Sequence, residues 1–144
     1  MRVAQDEIAV RTAPRRSFDV TGEVASVVRE HGFVRGTAHV FCRHTSASLL
    51  VTENADPTVR EDLARWFERL APTGDAMFRH TAEGPDDMPA HARTLLAGHS
   101  LLLPVADGEL VLGTWQGVYL WEHRAAPHTR RLFLTLTGEF ELPR

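Results

Sequence analysis

Apolar positions along the chain follow two rhythms. Through Val20 they read as short strands interrupted at Pro14. After Thr21, the valines 24, 27 and 28 fall at helical spacing, with Thr21 as the expected cap and Gly32 as the stop. Residues 36–42 and 48–52 read as strands. The most regular helical pattern opens at Asp56-Pro57, where an aspartate can accept from first-turn amides and a proline has no amide to orphan. Val59, Leu63, Trp66, Phe67 and Leu70 then form one apolar stripe, and Pro72-Thr73-Gly74 closes it. A shorter helix is predicted over 89–97, stopped by Gly98.

The last third is strand-like. Residues 101–105 and 109–112 flank Ala106-Asp107-Gly108, a hairpin signal centred on Asp-Gly. Residues 117–121 and 131–140 supply two more strands, the second alternating Leu132, Leu134 and Leu136 with Thr135 and Thr137. Strands, two or three helices and more strands, without a regular βαβ alternation, predict a single α+β domain over residues 1–144 with largely antiparallel pairing. The irregular stretch 71–88 is longer than a plain connection needs and reads as a functional loop.

Composition narrows the chemistry. All 16 basic side chains are arginines, set against 19 acidic ones for a net charge of −3. A chain without lysine has no Schiff-base lysine, no P-loop lysine and no lysine general base. Its single cysteine, Cys42, excludes an internal disulfide and a cysteine-only metal cage, and its apolar surroundings predict a buried, inert thiol. The slightly negative charge and scattered arginines argue against a nucleic-acid groove. No apolar run approaches the roughly 20 residues that span a bilayer, and the first residues lack the apolar core of a signal peptide. The expectation is a cytoplasmic protein with a small-molecule substrate and neither nucleic acid nor membrane as a partner.

Eight histidines stand out. His44 ends a predicted strand, His80 lies in the long loop, and His91 lies one turn into the short helix. Three converging imidazoles with an open fourth position would suit a catalytic divalent metal, although their spacing is not that of a helical zinc site. His31, His39, His99 and His128 read as ordinary surface or hydrogen-bonding side chains, and His123 is left open. Among the acids, Asp56 reads as a cap, and Asp86 and Asp87 as turn residues beside Pro85. Glu53, Glu83 and Glu122 have no such structural role and are candidate bases. Gly113-Thr-Trp115-Gln-Gly117 suggests a bent strand with an indole available for stacking, and Arg124 can pair with phosphate or carboxylate. Ser46 and Ser48 lie outside any Gly-x-Ser-x-Gly elbow, which leaves a serine nucleophile unsupported.

Taken in order, His44-Thr-Ser-Ala, Glu53-Asn-Ala-Asp-Pro57, Glu83-Gly-Pro-Asp-Asp87 with Ala90-His91, and Gly113-Thr-Trp-Gln116 with Glu122 resemble the YjbQ-type family over residues 5–141. This family is labelled as secondary thiamine-phosphate synthase enzymes. The resemblance implies a sandwich-like arrangement of sheets and a homotrimer. It also implies a divalent metal, zinc favoured, near the subunit boundary on His44, His80 and His91. Glu53, Glu83, Gln116 and Glu122 match recurrent polar positions of the family, taken as catalytic. Many relatives carry an aspartate two residues after the glutamate, where this chain has Arg124, with His123 as the alternative. The label implies joining hydroxymethylpyrimidine diphosphate to thiazole phosphate with loss of diphosphate, for which Trp115 and Arg124 are the substrate-binding candidates. The principal synthases of that reaction resemble TIM barrels of about 250 residues. A chain of 144 residues cannot build one, so the activity reads as secondary. The alternatives are a metal-dependent hydrolase of a small phosphorylated or acylated metabolite, with Glu83 or Glu122 as base, and a non-catalytic trimer that binds a metabolite or metal.

Overall fold

The computed structural model describes residues 1–142. In chain order the elements are β1 (Arg2–Arg11), β2 (Ser17–Asp19), α1 (Thr21–Glu30), β3 (Phe33–Cys42), β4 (Ala47–Glu53), α2 (Pro57–Leu70), α3 (Asp87–Ala97), β5 (Ser100–Ala106), β6 (Glu109–Leu110), β7 (Gln116–Glu122) and β8 (Thr129–Phe140). Every strand pairing is antiparallel. The strands form a five-stranded sheet in the order β1-β8-β3-β5-β6 and a three-stranded sheet in the order β2-β7-β4.

Alternation explains the core. Along β8 the side chains of Arg130, Leu132, Leu134 and Leu136 are buried, while the intervening ones are half-buried or exposed. Leu132, Leu134 and Leu136 share one apolar cluster with Ala38, Val40 and Leu103 of the large sheet and with Leu49, Val118 and Leu120 of the small one. Val24, Val27 and Val28 of α1 join the same cluster. Three valines weaken a helix by propensity, but burying that face outweighs the cost of a few tenths of a kcal/mol each. Cys42 lies in this core at 2% exposure, its thiol pushed up to about 11, chiefly by burial.

Two strands approach unusually closely at Gly36 and Gly138, which face each other across β3 and β8. A Cβ on Gly36 would sit 2.2 Å from the Thr137 carbonyl oxygen and 2.9 Å from the Gly138 Cα. Both have positive φ, 139° and 156°, so only glycine fits.

The helices differ in detail from the pattern. Thr21 is the first residue of α1 rather than its cap, and its hydroxyl accepts from the Val118 amide at 2.9 Å. The Asp56 side chain caps α2 as expected, accepting from the Thr58 amide at 2.9 Å. Of the expected α2 stripe only Phe67 is fully buried, edge-on to Trp121 at 5.3 Å, and Trp66 and Leu70 are about half exposed. The third helix begins at Asp87, two residues before the predicted start, and β6 spans 109–110 rather than 109–112.

Candidate metal centre and adjoining cavity

β4 and β7 run side by side, with Ala47 opposite Glu122 and Glu53 opposite Gln116. This register sorts the sequence candidates into two groups. Thr45 and Ser46 lead into β4 where Glu122, His123 and Arg124 leave β7. Glu53, Trp115 and Gln116 lie at the other end, ~20 Å away at about 3.4 Å per residue.

The helix α3 packs on β4 and carries Asp87 and His91 on one face, four residues apart. The His91 ring places Nδ1 2.8 Å from the Thr45 carbonyl oxygen. A carbonyl only accepts, so Nδ1 carries the proton and Nε2 of the neutral ring presents a lone pair. That nitrogen faces Asp87 Oδ2 at 3.1 Å, and His80 Nε2 meets the same oxygen at 2.7 Å. Two acceptors face one another between His91 and Asp87 unless a cation, either a proton or a metal ion, stands between them.

Ligand atoms of His80, Asp87 and His91 all lie within 4.8 Å of one another. Two imidazoles and one carboxylate with room for a further ligand suit a divalent cation. Ligands on tetrahedral zinc stand roughly 3.3 Å apart, given bonds of about 2.0–2.1 Å. A bound ion would therefore replace the direct His80–Asp87 hydrogen bond. Burial alone would raise the Asp87 carboxyl, but the His80 hydrogen bond and the charges of His91 and Arg124 outweigh it and hold it below the ordinary carboxylate value.

Arg124 fixes this carboxylate from behind. Its Nη1 lies 3.0 Å from Asp87 Oδ1, its Nε donates to Asp86 at 2.9 Å, and its Nη2 donates to the Glu83 carbonyl at 2.9 Å. The guanidinium thus ties β7 to the end of the long loop and holds Asp87, leaving little of it for a substrate. Asp86 and Asp87 are not simple turn residues: the first receives Arg124 and the Ala125 amide, and the second is the carboxylate of the cluster. The Glu83 side chain is exposed beside them.

His44 stands apart from the cluster. Its Nε2 accepts from the Arg131 amide at 2.7 Å, and burial, with the Arg130 charge, lowers its pKa. It shares with His91 the wall of a cavity of about 790 Å³, which Phe41, Thr45, Ser46 and Arg130 also line. A cavity of that size accommodates a small metabolite.

Behind this cavity is a buried polar network. Glu122 is fully buried and accepts from Arg130 Nε at 2.7 Å and Thr12 Oγ1 at 3.2 Å, with His128 Nδ1 2.5 Å away. Arg130 also donates to the Ser46 hydroxyl at 2.9 Å. With its oxygens thus engaged, Glu122 is a structural anchor of the site and not a free base. His123 is also buried, 2.8 Å from the Ser48 hydroxyl through Nε2, and burial, aided by the Arg93 and Arg130 charges, pulls its pKa down to about 3. At the far end, Glu53 accepts the amides of Ala55 and Asp56, and Gln116 accepts that of Gly113, each closing its own turn. Trp115 is 63% exposed.

Asp87 and Arg130 are the positions of the candidate site that the sequence pattern hides. Arg130 does carry one signal, since it falls in the inward phase of Leu132, Leu134 and Leu136. Asp87-x-x-x-His91 becomes a ligand pair only once the helix is known to start at Asp87.

Fold and cluster together define a small, two-sheet α+β protein with histidine and carboxylate side chains gathered at one strand end. Residues 6–139 match the model of the family described as UPF0047 protein YjbQ-like, and the chain belongs to that family. It is 44% identical over 138 residues to the UPF0047 protein sll1880 of Synechocystis sp., covering 96% of this chain and 94% of the relative. The UPF0047 protein YjbQ of Escherichia coli O157:H7 is 44% identical over 130 residues, covering 89% and 94%. Among solved structures, a YbjQ-like protein of unknown function from Sulfolobus solfataricus P2 superposes with a TM-score of 0.87 at 26% identity, covering 96% and 99%. The hypothetical protein APE1520 from Aeropyrum pernix K1 gives 0.86 at 31% identity, covering 94% and 99%. No helix among the described residues is long and apolar enough to cross a membrane.

Proposed function

We propose that His80, Asp87 and His91 bind a divalent metal, zinc favoured, in an enzyme that acts on a small metabolite in the adjoining cavity, with thiamine-phosphate-synthase-type transfer as the leading reaction. The observation that carries this reading is the placement of the His91 ring, anchored through Nδ1 on the Thr45 carbonyl so that Nε2 lies 3.1 Å from a buried carboxylate oxygen. A hydrogen bond from the remote ring nitrogen to a backbone carbonyl is the usual way a protein orients a ligating imidazole. When bound, the cation would supply Lewis acidity toward an anionic leaving group or a polarised oxygen.

The protein's own groups do the rest. Thr45 orients His91, Arg124 holds Asp87, and the Glu122–Arg130 pair keeps the strand ends beside the cavity in place. Within one chain Phe41 is the aromatic ring on the cavity wall, because Trp115 lies at the other end of β7. In a homotrimer with the cluster near a subunit boundary, Glu53, Trp115 and Gln116 would serve this site only from a neighbouring subunit. His44 stays outside this ligand set and lines the cavity, its Nε2 accepting from the Arg131 amide.

The test combines metal content and turnover. Protein purified with zinc is expected to hold about one ion per chain and to form thiamine phosphate from hydroxymethylpyrimidine diphosphate and thiazole phosphate. His91→Ala is expected to lose both. Metal-free protein with full activity refutes the mechanism. A metal-loaded protein that ignores both precursors but cleaves phosphate esters, amides or lactones establishes the hydrolase, for which the exposed Glu83 is the available base. Light scattering decides the trimer, expected at three chains of 16.1 kDa each.

A further inference from the structure

A second cavity, of about 260 Å³, opens on the other side of α3. Arg93 follows His91 by two residues, so the helix directs it roughly 200° away from the metal cluster. Arg15, Arg65, Arg93 and Glu68 line this cavity, with Phe67, Trp121 and His123 as an aromatic wall. His123 is neutral there, so its ring adds no charge.

The arginines are only partly satisfied. Arg93 is 4% exposed, and its Nη2 donates to the Ala71 carbonyl at 2.9 Å and to Glu68 at 3.3 Å. The Arg93 Nε and the Arg15 Nε are buried without a hydrogen-bond partner, the only such side-chain atoms among the described residues. A buried donor without an acceptor costs a protein stability, and native structures rarely keep one without a reason. Glu68 is half exposed and lies between the two, 3.9 Å from Arg15 Nη1. Arg65, at the exposed rim, lies 3.7 Å from Asp62. Burial and the Arg15 charge draw Arg93 below its ordinary pKa against the pull of Glu68. Three guanidiniums against one lining carboxylate leave an excess of positive charge.

The Arg15 backbone adds an independent sign. It adopts a φ of 52°, a left-handed conformation uncommon for a residue with a Cβ. Its amide donates to the Arg124 carbonyl at 3.0 Å and its Nη2 to the Thr73 hydroxyl at 3.0 Å, so the chain holds this side chain at the cavity despite the strain. Strain of this kind gathers where side chains must be placed for a ligand.

We infer that the cavity between α2, α3 and the end of β7 is a binding site for a small phosphate-type oxyanion, gripped by the guanidinium groups of Arg15 and Arg93, whose Nε–H groups have no partner within the protein. A dianion matches the charge excess better than a monoanionic carboxylate does. The volume admits a phosphate group with a few further atoms, and the aromatic wall can cover an apolar remainder. This site is independent of the metal proposal.

Inorganic phosphate is the probe, titrated into the full-length protein by calorimetry and by melting temperature, with chloride at matched ionic strength as reference. The wild type is expected to melt higher in phosphate than in chloride, with saturation. Arg15→Gln, whose side chain is not needed to fill the core, is expected to weaken phosphate at least about tenfold, the loss of one charged hydrogen bond. Glu68→Gln is expected to tighten it, and acetate to bind at least about tenfold more weakly than phosphate. His91→Ala is expected to leave phosphate affinity unchanged. The inference fails if phosphate and chloride act alike, or if Arg15→Gln binds like the wild type. It also fails if acetate matches phosphate, or if His91→Ala rather than Arg15→Gln abolishes binding.

Discussion

Glu122 and Arg130 belong to different sheets, and the ion pair they form, with Arg130 Nε 2.7 Å from Glu122 Oε2, is the charged centre of the polar network that links those sheets beside the candidate site. Glu122 ends β7 of the small sheet, and Arg130 lies near the start of β8 in the large one. The apolar cluster holds the sheets face to face without specifying how their ends align. A charged pair whose donors and acceptors must meet supplies that alignment.

Removing one partner is expected to cost more than removing both. Glu122→Leu leaves the Arg130 charge buried and uncompensated and should destabilise the fold by about 3–5 kcal/mol. Glu122→Leu combined with Arg130→Met should recover most of that loss. Urea midpoints of the two single variants and the double variant measure the coupling. Additive losses would mean that the pair does not act as a unit.

Arg124 holds the outer oxygen of Asp87 and should set how well the cluster receives a metal. Arg124→Gln is expected to weaken zinc binding by about 10–100-fold while leaving the stoichiometry unchanged. Competition against a chromogenic chelator reads this directly. Unchanged affinity would make Arg124 a loop tether only.

Stability should fall as the solution is acidified, in part through His123. The folded state holds this imidazole at about 3, well below the ordinary value of 6.5, chiefly because it is buried. The unfolded chain therefore takes up a proton first. The stabilising contribution is complete above about pH 6.5 and is lost progressively as pH falls toward 3, at up to about 1.4 kcal/mol per unit. His123→Phe removes this slope. Chemical denaturation at pH 7, 6, 5 and 4 should show the wild type losing stability faster than the variant, and parallel curves would refute the assignment.

Gly36→Ala tests the closest strand contact. The new methyl would meet the Thr137 carbonyl and the Gly138 Cα, at a φ that alanine avoids. A loss of more than about 2 kcal/mol is expected in thermal or urea unfolding, and a loss below about 0.5 would show that the strands separate easily.

Much of this architecture is legible in the sequence because its elements follow simple periodicities. β8 shows its alternation in the spacing of Leu132, Leu134 and Leu136, and α2 shows its start in Asp56-Pro57. The start of α3 is harder to read. Pro89 suggests a first helical position, yet it occupies the third, where its missing amide hydrogen still breaks no intrahelical bond. That shift of two residues conceals Asp87. α2 misleads in another way: its apolar stripe predicts a buried face, but only Phe67 reaches the aromatic pair Trp121 and His123. For the site, His80 and His91 come together as their blocks suggest, while His44 hydrogen-bonds across to β8. That bond depends on which strands become neighbours, and local pattern does not encode it. Glu53 and Gln116, by contrast, accept from amides two or three residues away, local bonds whose turns their reading as catalytic candidates leaves out.

The single thiol in the core makes the molecule its own reporter of opening. At 2% exposure on the wall of the large cavity, and with its ionisation suppressed, Cys42 should react slowly with a disulfide reagent while the sheets remain together. Labelling accelerates as the strands around it separate. Its rate, divided by that of a free thiol, sets an upper bound on the fraction of time the sandwich is open, with no residue changed.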